Sequence, residues 1–310
     1  MDAPVLLIVF NRLDTVIRVF EAIRAAKPNR LYVAADGPRN DREGEAKRCA
    51  EVREWIISHM DWDCELKTRF LDDNIGCGLG PSTAISWMFE TENSGIILED
   101  DCVPHPDFFV FAEQMLEKYG GRKDIMAVNS SNFQPDLIGD GSYYFSMQNG
   151  PFCAWATWKD AWKTFDFSMN RYPRAVIVKN LNRFYHVTKR ERLWWMNIYD
   201  GLIEDRYHGS SWDYQYIFAI WANKGKSIVP NSNLSTNIGF GPEATHTTNP
   251  DAVTANRPMQ GILPIIVPTS EDICRKADLF YHDFYYDRFV EHVSFIKKLK
   301  RGVKRILHYQ

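Results

Sequence analysis

Three carboxylates stand in a row at Glu99-Asp100-Asp101, directly after the apolar run Gly95-Ile96-Ile97-Leu98. Adjacent acids repel one another unless a cation or hydrogen-bond donors offset their charge. Hard oxygen ligands of this kind suit Mg²⁺ or Mn²⁺, which can bridge to phosphate groups. A solvated acidic turn is the bland alternative, and the triplet alone does not separate the two. Asp36, in Asp36-Gly37-Pro38, is either a ligand at a strand end or a turn former. Asp213, in Trp212-Asp213, is either an acid–base group or the cap of the apolar helical run that follows. Gly76, Gly78 and Gly80 open another helical stretch, where backbone amides can approach an anion. That loop lacks the Gly-Lys-Ser/Thr of a phosphate loop and does not follow the first strand, as a dinucleotide fingerprint would.

The elements that must position these groups are legible as patterns. The run before the triplet has the length and Ile/Leu content of a buried strand. In an open parallel sheet, the C-terminal ends of the strands border the ligand crevice. Residues 5–10 read as a first strand and the loop Asn11-Arg12 follows it. Asp14 then caps a helix with Val16, Val19, Phe20 and Ile23 at helical spacing. Residues 31–35 and 66–70 read as further strands, with a polar helix over 41–60 between them. The glycine-rich stretch opens a helix to residue 89, and Pro104-His105-Pro106-Asp107 caps one to residue 119. Residues 125–128 and 227–229 read as strands, 181–206 as a helix, and a further helix ends at 221. The aromatic block 143–165 reads mainly as core. Residues 231–249 form a polar loop with Gly239 and His246, of a composition that suits a mobile lid. The alternation predicts an α/β fold with a mixed, mostly parallel sheet flanked by helices. We divide it into a domain over 1–260 and an extension over 261–310.

A net charge of −3 argues against a nucleic-acid partner. Six scattered cysteines without a C-x-x-C pair argue against a zinc knuckle and for a reducing compartment. The start, Met1-Asp2-Ala3-Pro4, lacks a basic region, and the apolar run 5–10 is too short for a signal peptide or a membrane span. The chain therefore reads as cytoplasmic. Near its end, Val293, Ile296, Leu299, Val303 and Leu307 keep helical spacing, flanked by Lys297, Lys298, Arg301, Lys304 and Arg305. Such a basic amphipathic helix suits an anionic membrane surface, its own domain or a second copy.

In this order the features resemble the GT-A class of nucleotide-sugar glycosyltransferases, a Rossmann-like fold. Within it they look most like the N-acetylglucosaminyltransferase I (family 13) group and its bacterial relatives. The residues that carry the resemblance are Phe10-Asn11-Arg12, Asp36-Gly37, Leu98-Glu99-Asp100-Asp101 with Pro104-His105-Pro106-Asp107-Phe108-Phe109, and Trp212-Asp213, within residues 4–247. The resemblance implies that Asp101 ligates Mn²⁺ or Mg²⁺, Asp100 meets the ribose or metal-bound water, and Glu99 meets the donor sugar. It implies that Arg12 and Asp36 hold the uracil, Trp212 packs on the sugar, and Asp213 is the base. The loop from Gly239 to His246 would fold over the pyrophosphate, with Gly76 nearby as a backbone contact. The reaction implied is inverting transfer from a UDP-sugar, such as UDP-GlcNAc, to a hydroxyl of a glycan or lipid-linked glycan. This chain departs from the family's Trp-Asp-Asp-Trp with Trp212-Asp213-Tyr214-Gln215, so its acceptor side is expected to differ. Two other functions stay open: a non-catalytic nucleotide-sugar-binding or scaffold protein, and a sugar-phosphate nucleotidyltransferase. The second lacks its expected glycine-rich, Arg-containing loop near the first strand.

Overall fold

Strand β1 (Val5–Val9) is apolar throughout because protein covers both of its faces. Val5, Leu7 and Val9 point into one core and Leu6 into the other, as the two-residue period of a strand requires. In this computed structural model, which describes residues 1–148, 152, 154–241, 249, 251–252 and 254–286, three crossovers follow. They run through α1 (Leu13–Ala26), β2 (Arg30–Ala35), α2 (Glu45–Ser58), β3 (Glu65–Phe70), α3 (Gly76–Thr91) and β4 (Ser94–Glu99). β3, β2, β1 and β4 are parallel neighbours in that order. Ile8 pairs with Glu99 and Val9 with Ala35, so Phe10, Asp36 and Asp100 emerge along one edge of the sheet.

The chain then forms β5 (Cys102–Pro104), α4 (Pro106–Lys118), β6 (Ile125–Asn129), β7 (Tyr143–Ser146), β8 (Ala154–Trp158) and α5 (Lys159–Trp162). After these come α6 (Arg174–Arg183), α7 (Lys189–Ile203), α8 (Asp213–Ala222), β9 (Lys226–Pro230), β10 (Ser235–Asn237) and α9 (Arg275–Tyr281). The main sheet has the order β3-β2-β1-β4-β8-β6-β9-β7, and β5 pairs separately with β10. β8 runs against both β4 and β6, β7 runs against β9 and β5 against β10; the remaining pairs of the main sheet are parallel. The sheet is thus mixed and mostly parallel, as expected. α1, α2 and α4 cover one face, burying Phe20, Ile56 and Phe108. α3, α6, α7 and α8 cover the other, around Trp155, Trp195 and Trp221.

Two sequence expectations are revised. The helix expected over 181–206 is two helices, because Thr188 and Glu191 form a reciprocal capping box that starts α7 afresh. The aromatic block contains β7 and β8, whose buried rings hide the usual alternation of inward and outward residues.

Beyond residue 260 the chain returns to the sheet. The Cys274 N–H donates to Phe145 O at 2.8 Å, and Arg275 pairs with the buried Glu191 at 2.9 Å. Asp278 is fully buried and accepts from Ser146 Oγ at 2.5 Å and Arg275 Nη1 at 3.1 Å. Loss of solvent outweighs both partners and pushes its pKa up to about 6. The amphipathic helix expected over 289–307 lies outside the described residues. Among the described residues, no helix is long and apolar enough to cross a membrane.

Candidate active site

The C-terminal ends of β1, β2 and β4 border an open cleft of about 1430 Å³. Arg12, Asp36, Gly76, Glu99, Asp100, Asp101, Trp212 and Asp213 all line it. The sequence therefore brought together, from distant segments, residues that the fold also brings together. His246 lies outside the described residues.

β4 delivers the three acids and the loop after β1 delivers their counter-ion. Arg12 Nη2 donates to Asp100 Oδ1 at 2.6 Å and to Asp101 Oδ2 at 2.9 Å. Burial works against the guanidinium's charge, but the two carboxylates more than offset it and raise its pKa. Asp100 is buried and also accepts from the Phe10 N–H at 3.3 Å. Desolvation raises its pKa, Arg12 draws it down, and the Asp101 charge raises it again. Asp100 thus faces Arg12 and the backbone of β1. Glu99 lies well above the ordinary carboxylate range, first through desolvation, then through the charges of Asp101, Asp100 and Asp213. That ordering ties Asp213, at the start of α8, electrostatically to the triplet. Ser211 Oγ donates to Asp213 Oδ1 at 3.0 Å. Asp213 is the first residue of α8, and Trp212 holds the cap position without a side-chain cap bond.

Glu99, Asp101 and Cys102 offer ligand atoms within 4.8 Å of one another. The two carboxylates fit a hard divalent cation, and the thiol is the softer member of the set. Cys102 Sγ donates to Asp101 Oδ1 at 3.1 Å, and Asn237 Nδ2 donates to the same oxygen at 3.2 Å. Asn237 belongs to β10, which β5 holds beside the acids. Gly239 closes over the site: a Cβ there would lie 2.0 Å from Asp101 Oδ2. Only glycine permits this approach.

Asp36 is committed to the chain itself. Its Oδ1 accepts from the N–H groups of Gly37 and Ile75, and its Oδ2 accepts from Gly76, each at 2.9 Å. The anion at the start of the glycine-rich α3 is therefore an internal carboxylate. Its pKa is raised by desolvation, which outweighs those three amides. Gly78 backs onto Gly209, where a Cβ would meet the carbonyl oxygen at 2.0 Å. Trp212 is 5 % exposed and stacks on Trp155 with centroids 5.8 Å apart, so most of its surface belongs to the core.

Sequence reasoning missed several cleft residues. Glu45 is buried and accepts from the Arg39 N–H at 2.7 Å and from Asn11 Nδ2 at 2.9 Å, which fixes the loop after β1. Asn237 and Arg257 were also missed. No spacing marks either of them, because turns of the chain far apart in sequence bring them to the cleft.

No family model and no curated protein matches the sequence. Solved structures give remote likenesses. TarS 1-349 from S. aureus aligns with 76 % of this chain and 59 % of its own, at 12 % identity and a TM-score of 0.39. The mannosyltransferase PcManGT from Pyrobaculum calidifontis, in complex with GDP-Man and Mn²⁺, aligns with 72 % of this chain and 70 % of its own, at 14 % identity and a TM-score of 0.39. A 4-diphosphocytidyl-2C-methyl-D-erythritol synthase from Anaerococcus prevotii aligns with 71 % of this chain and 97 % of its own, at 9 % identity and a TM-score of 0.31. Likenesses this distant assign neither an activity nor a residue role to this chain.

Proposed function

We propose that the chain is a metal-dependent glycosyltransferase that moves a sugar from a nucleotide donor to an acceptor hydroxyl. The observation that carries this reading is the meeting of Arg12, Glu99, Asp101 and Asp213 in one cleft at the ends of parallel strands. Glu99 and Asp101 would hold Mn²⁺ or Mg²⁺, which when bound neutralises charge developing on the departing diphosphate. Arg12 keeps Asp100 and Asp101 oriented. Asp213 takes the proton of the attacking hydroxyl, and its place in the first turn of α8 favours the ionised form. Asp36, Gly76 and the arginines at 39, 42 and 48 border the end of the cleft that would take the base. In its finer form, the reading takes a UDP-sugar, a single inverting displacement, and a glycan or lipid-linked glycan as acceptor. The basic stripe over 289–307 suits peripheral attachment to an anionic inner membrane face.

Incubation with UDP-sugars and Mn²⁺ should release UDP. Asp101→Ala should abolish metal-dependent UDP-sugar binding in calorimetry while leaving the melting temperature near wild type. Binding that ignores both the substitution and EDTA would end the metal-dependent reading. Pyrophosphate release from a nucleoside triphosphate and a sugar phosphate would point to nucleotidyl transfer. Binding without turnover on any acceptor would favour the scaffold.

A further inference from the structure

Arg257 is a cation of the cleft with no ion pair among the described residues. Arg257 lines the cleft, as do Thr254, Ser131 and Phe133. Its guanidinium carbon lies 4.8 Å from the Phe133 ring centroid and 5.7 Å from that of Phe284, and those two rings stack 5.4 Å apart. No carboxylate of the described residues forms an ion pair with Arg257, and burial lowers its pKa. Its Nε is buried without a hydrogen-bond partner. Thr254 is 8 % exposed and its hydroxyl also has no partner. Buried polar groups are nearly always paired, so two orphans on one cleft wall call for a ligand. Arg12 and Arg39 line the same cleft paired with Asp100 and Glu45, and Arg42, Arg48 and Arg69 line it without an ion pair among the described residues, but none of these five has a buried nitrogen left without a partner, as Arg257 does.

The wall is built, not loose. The Asn256 N–H donates to Asn237 O at 3.0 Å, and Asn233 Nδ2 donates to Pro258 O at 2.9 Å. Phe133 follows β6, which lies two places beyond β4 in the sheet. Two strand spacings put the end of β6 about 10 Å from the end of β4, which carries the acids. Asp36, after β2, and the start of the glycine-rich helix that it holds lie on the opposite side. The cleft thus has two arms, and Arg257 stands in the one away from Asp36.

We propose that Arg257 and Thr254 form an oxyanion subsite for a phosphate or carboxylate group on the second substrate, the one that accepts the sugar. This rests on the sugar-transfer reading, which assigns the nucleotide to the β2 arm. A guanidinium packed on aromatic rings keeps its N–H edge free for charge-assisted contact with an oxyanion. A partly buried cation without a partner gains more from such a contact than an exposed one. The donor diphosphate presents the same chemistry, so the test separates the two sources.

Full-length wild type, Arg257→Gln and Arg257→Lys are titrated with UDP in the presence of Mg²⁺. Each protein, saturated with UDP and Mg²⁺, is then titrated with methyl phosphate and with acetate, and its melting temperature is recorded. The wild type should bind at least one of the two anions in addition to UDP. Arg257→Gln should weaken that binding at least tenfold, Arg257→Lys should retain part of it, and UDP affinity should change less than twofold. Equal anion binding by wild type and Arg257→Gln would overturn the subsite, as would no anion binding by the UDP-loaded wild type. A tenfold loss of UDP affinity in both variants would assign Arg257 to the donor and overturn it too. Failure of UDP to bind the wild type would instead sink the sugar-transfer reading, and the acceptor assignment with it.

Discussion

At the scale of single residues, the cleft separates groups that can act on a substrate from groups already engaged by the chain. Asp213 is half-buried at the cleft and carries a hydrogen bond from Ser211, whereas Asp100 is held by Arg12 and the β1 backbone. Asp213→Asn keeps the size of the side chain and removes its basicity. If Asp213 is the base of the proposed sugar transfer, turnover with a working donor and acceptor falls by about 10²–10⁴-fold, with donor affinity nearly unchanged. Near-normal turnover would overturn Asp213 as the base. Gly239→Ala addresses the metal site from the other side. Its methyl would collide with the Asp101 carboxylate, so Mn²⁺ binding in calorimetry should weaken, while circular dichroism stays that of the wild type.

At the scale of elements, the strand ends that carry Arg12, Asp36 and the acidic triplet were legible because buried parallel strands leave continuous apolar runs. The partners of those residues were not. Asp36 before glycine reads equally well as a turn or a ligand, and only the fold reveals that α3 begins against it, thirty-nine residues downstream. Asn237 and Arg257 sit in stretches whose composition suggests only a polar loop, and their meaning comes from β10 pairing with β5. α7 was misread as continuous with α6 because its Thr188–Glu191 box lies inside a helical pattern. Asp36→Ala tests the committed role. It leaves three amides without their acceptor, and urea denaturation should show a loss of about 1–3 kcal/mol. An unchanged midpoint with lost nucleotide binding would make Asp36 a ligand contact alone.

At the scale of the whole molecule, the stretch beyond residue 260 is fastened to the sheet by a buried acid, and that makes its attachment sensitive to pH. The pKa of Asp278 is about 6 in the folded chain, against about 3.9 when unfolded. Between those values the folded state holds a proton that the unfolded state has released. Stability from this group therefore grows as the pH falls from about 6 to about 4, and is lost as the pH rises again. The difference in unfolding free energy between wild type and Asp278→Asn isolates it. That difference should move toward the wild type by roughly 2–3 kcal/mol across the window. A flat difference would mean that Arg275 and Ser146 compensate the buried charge fully.

The contact of Arg12 with Asp100 and Asp101 bears on life without metal. Acids whose only counter-charge is a bound ion lose their reason to stay together on chelation, as small zinc domains do when they unfold. Here the counter-charge is part of the polypeptide, contributed eighty-eight residues before the acid it meets at 2.6 Å. Protein treated with EDTA should melt within about 2 °C of untreated protein, a shift worth about 1 kcal/mol in a chain of this length. Activity lost to the chelator should return when Mn²⁺ is restored, without refolding. On the proposed metal-dependent reading, scarcity of the ion would then pause the protein and leave it intact, ready to resume as soon as supply recovers.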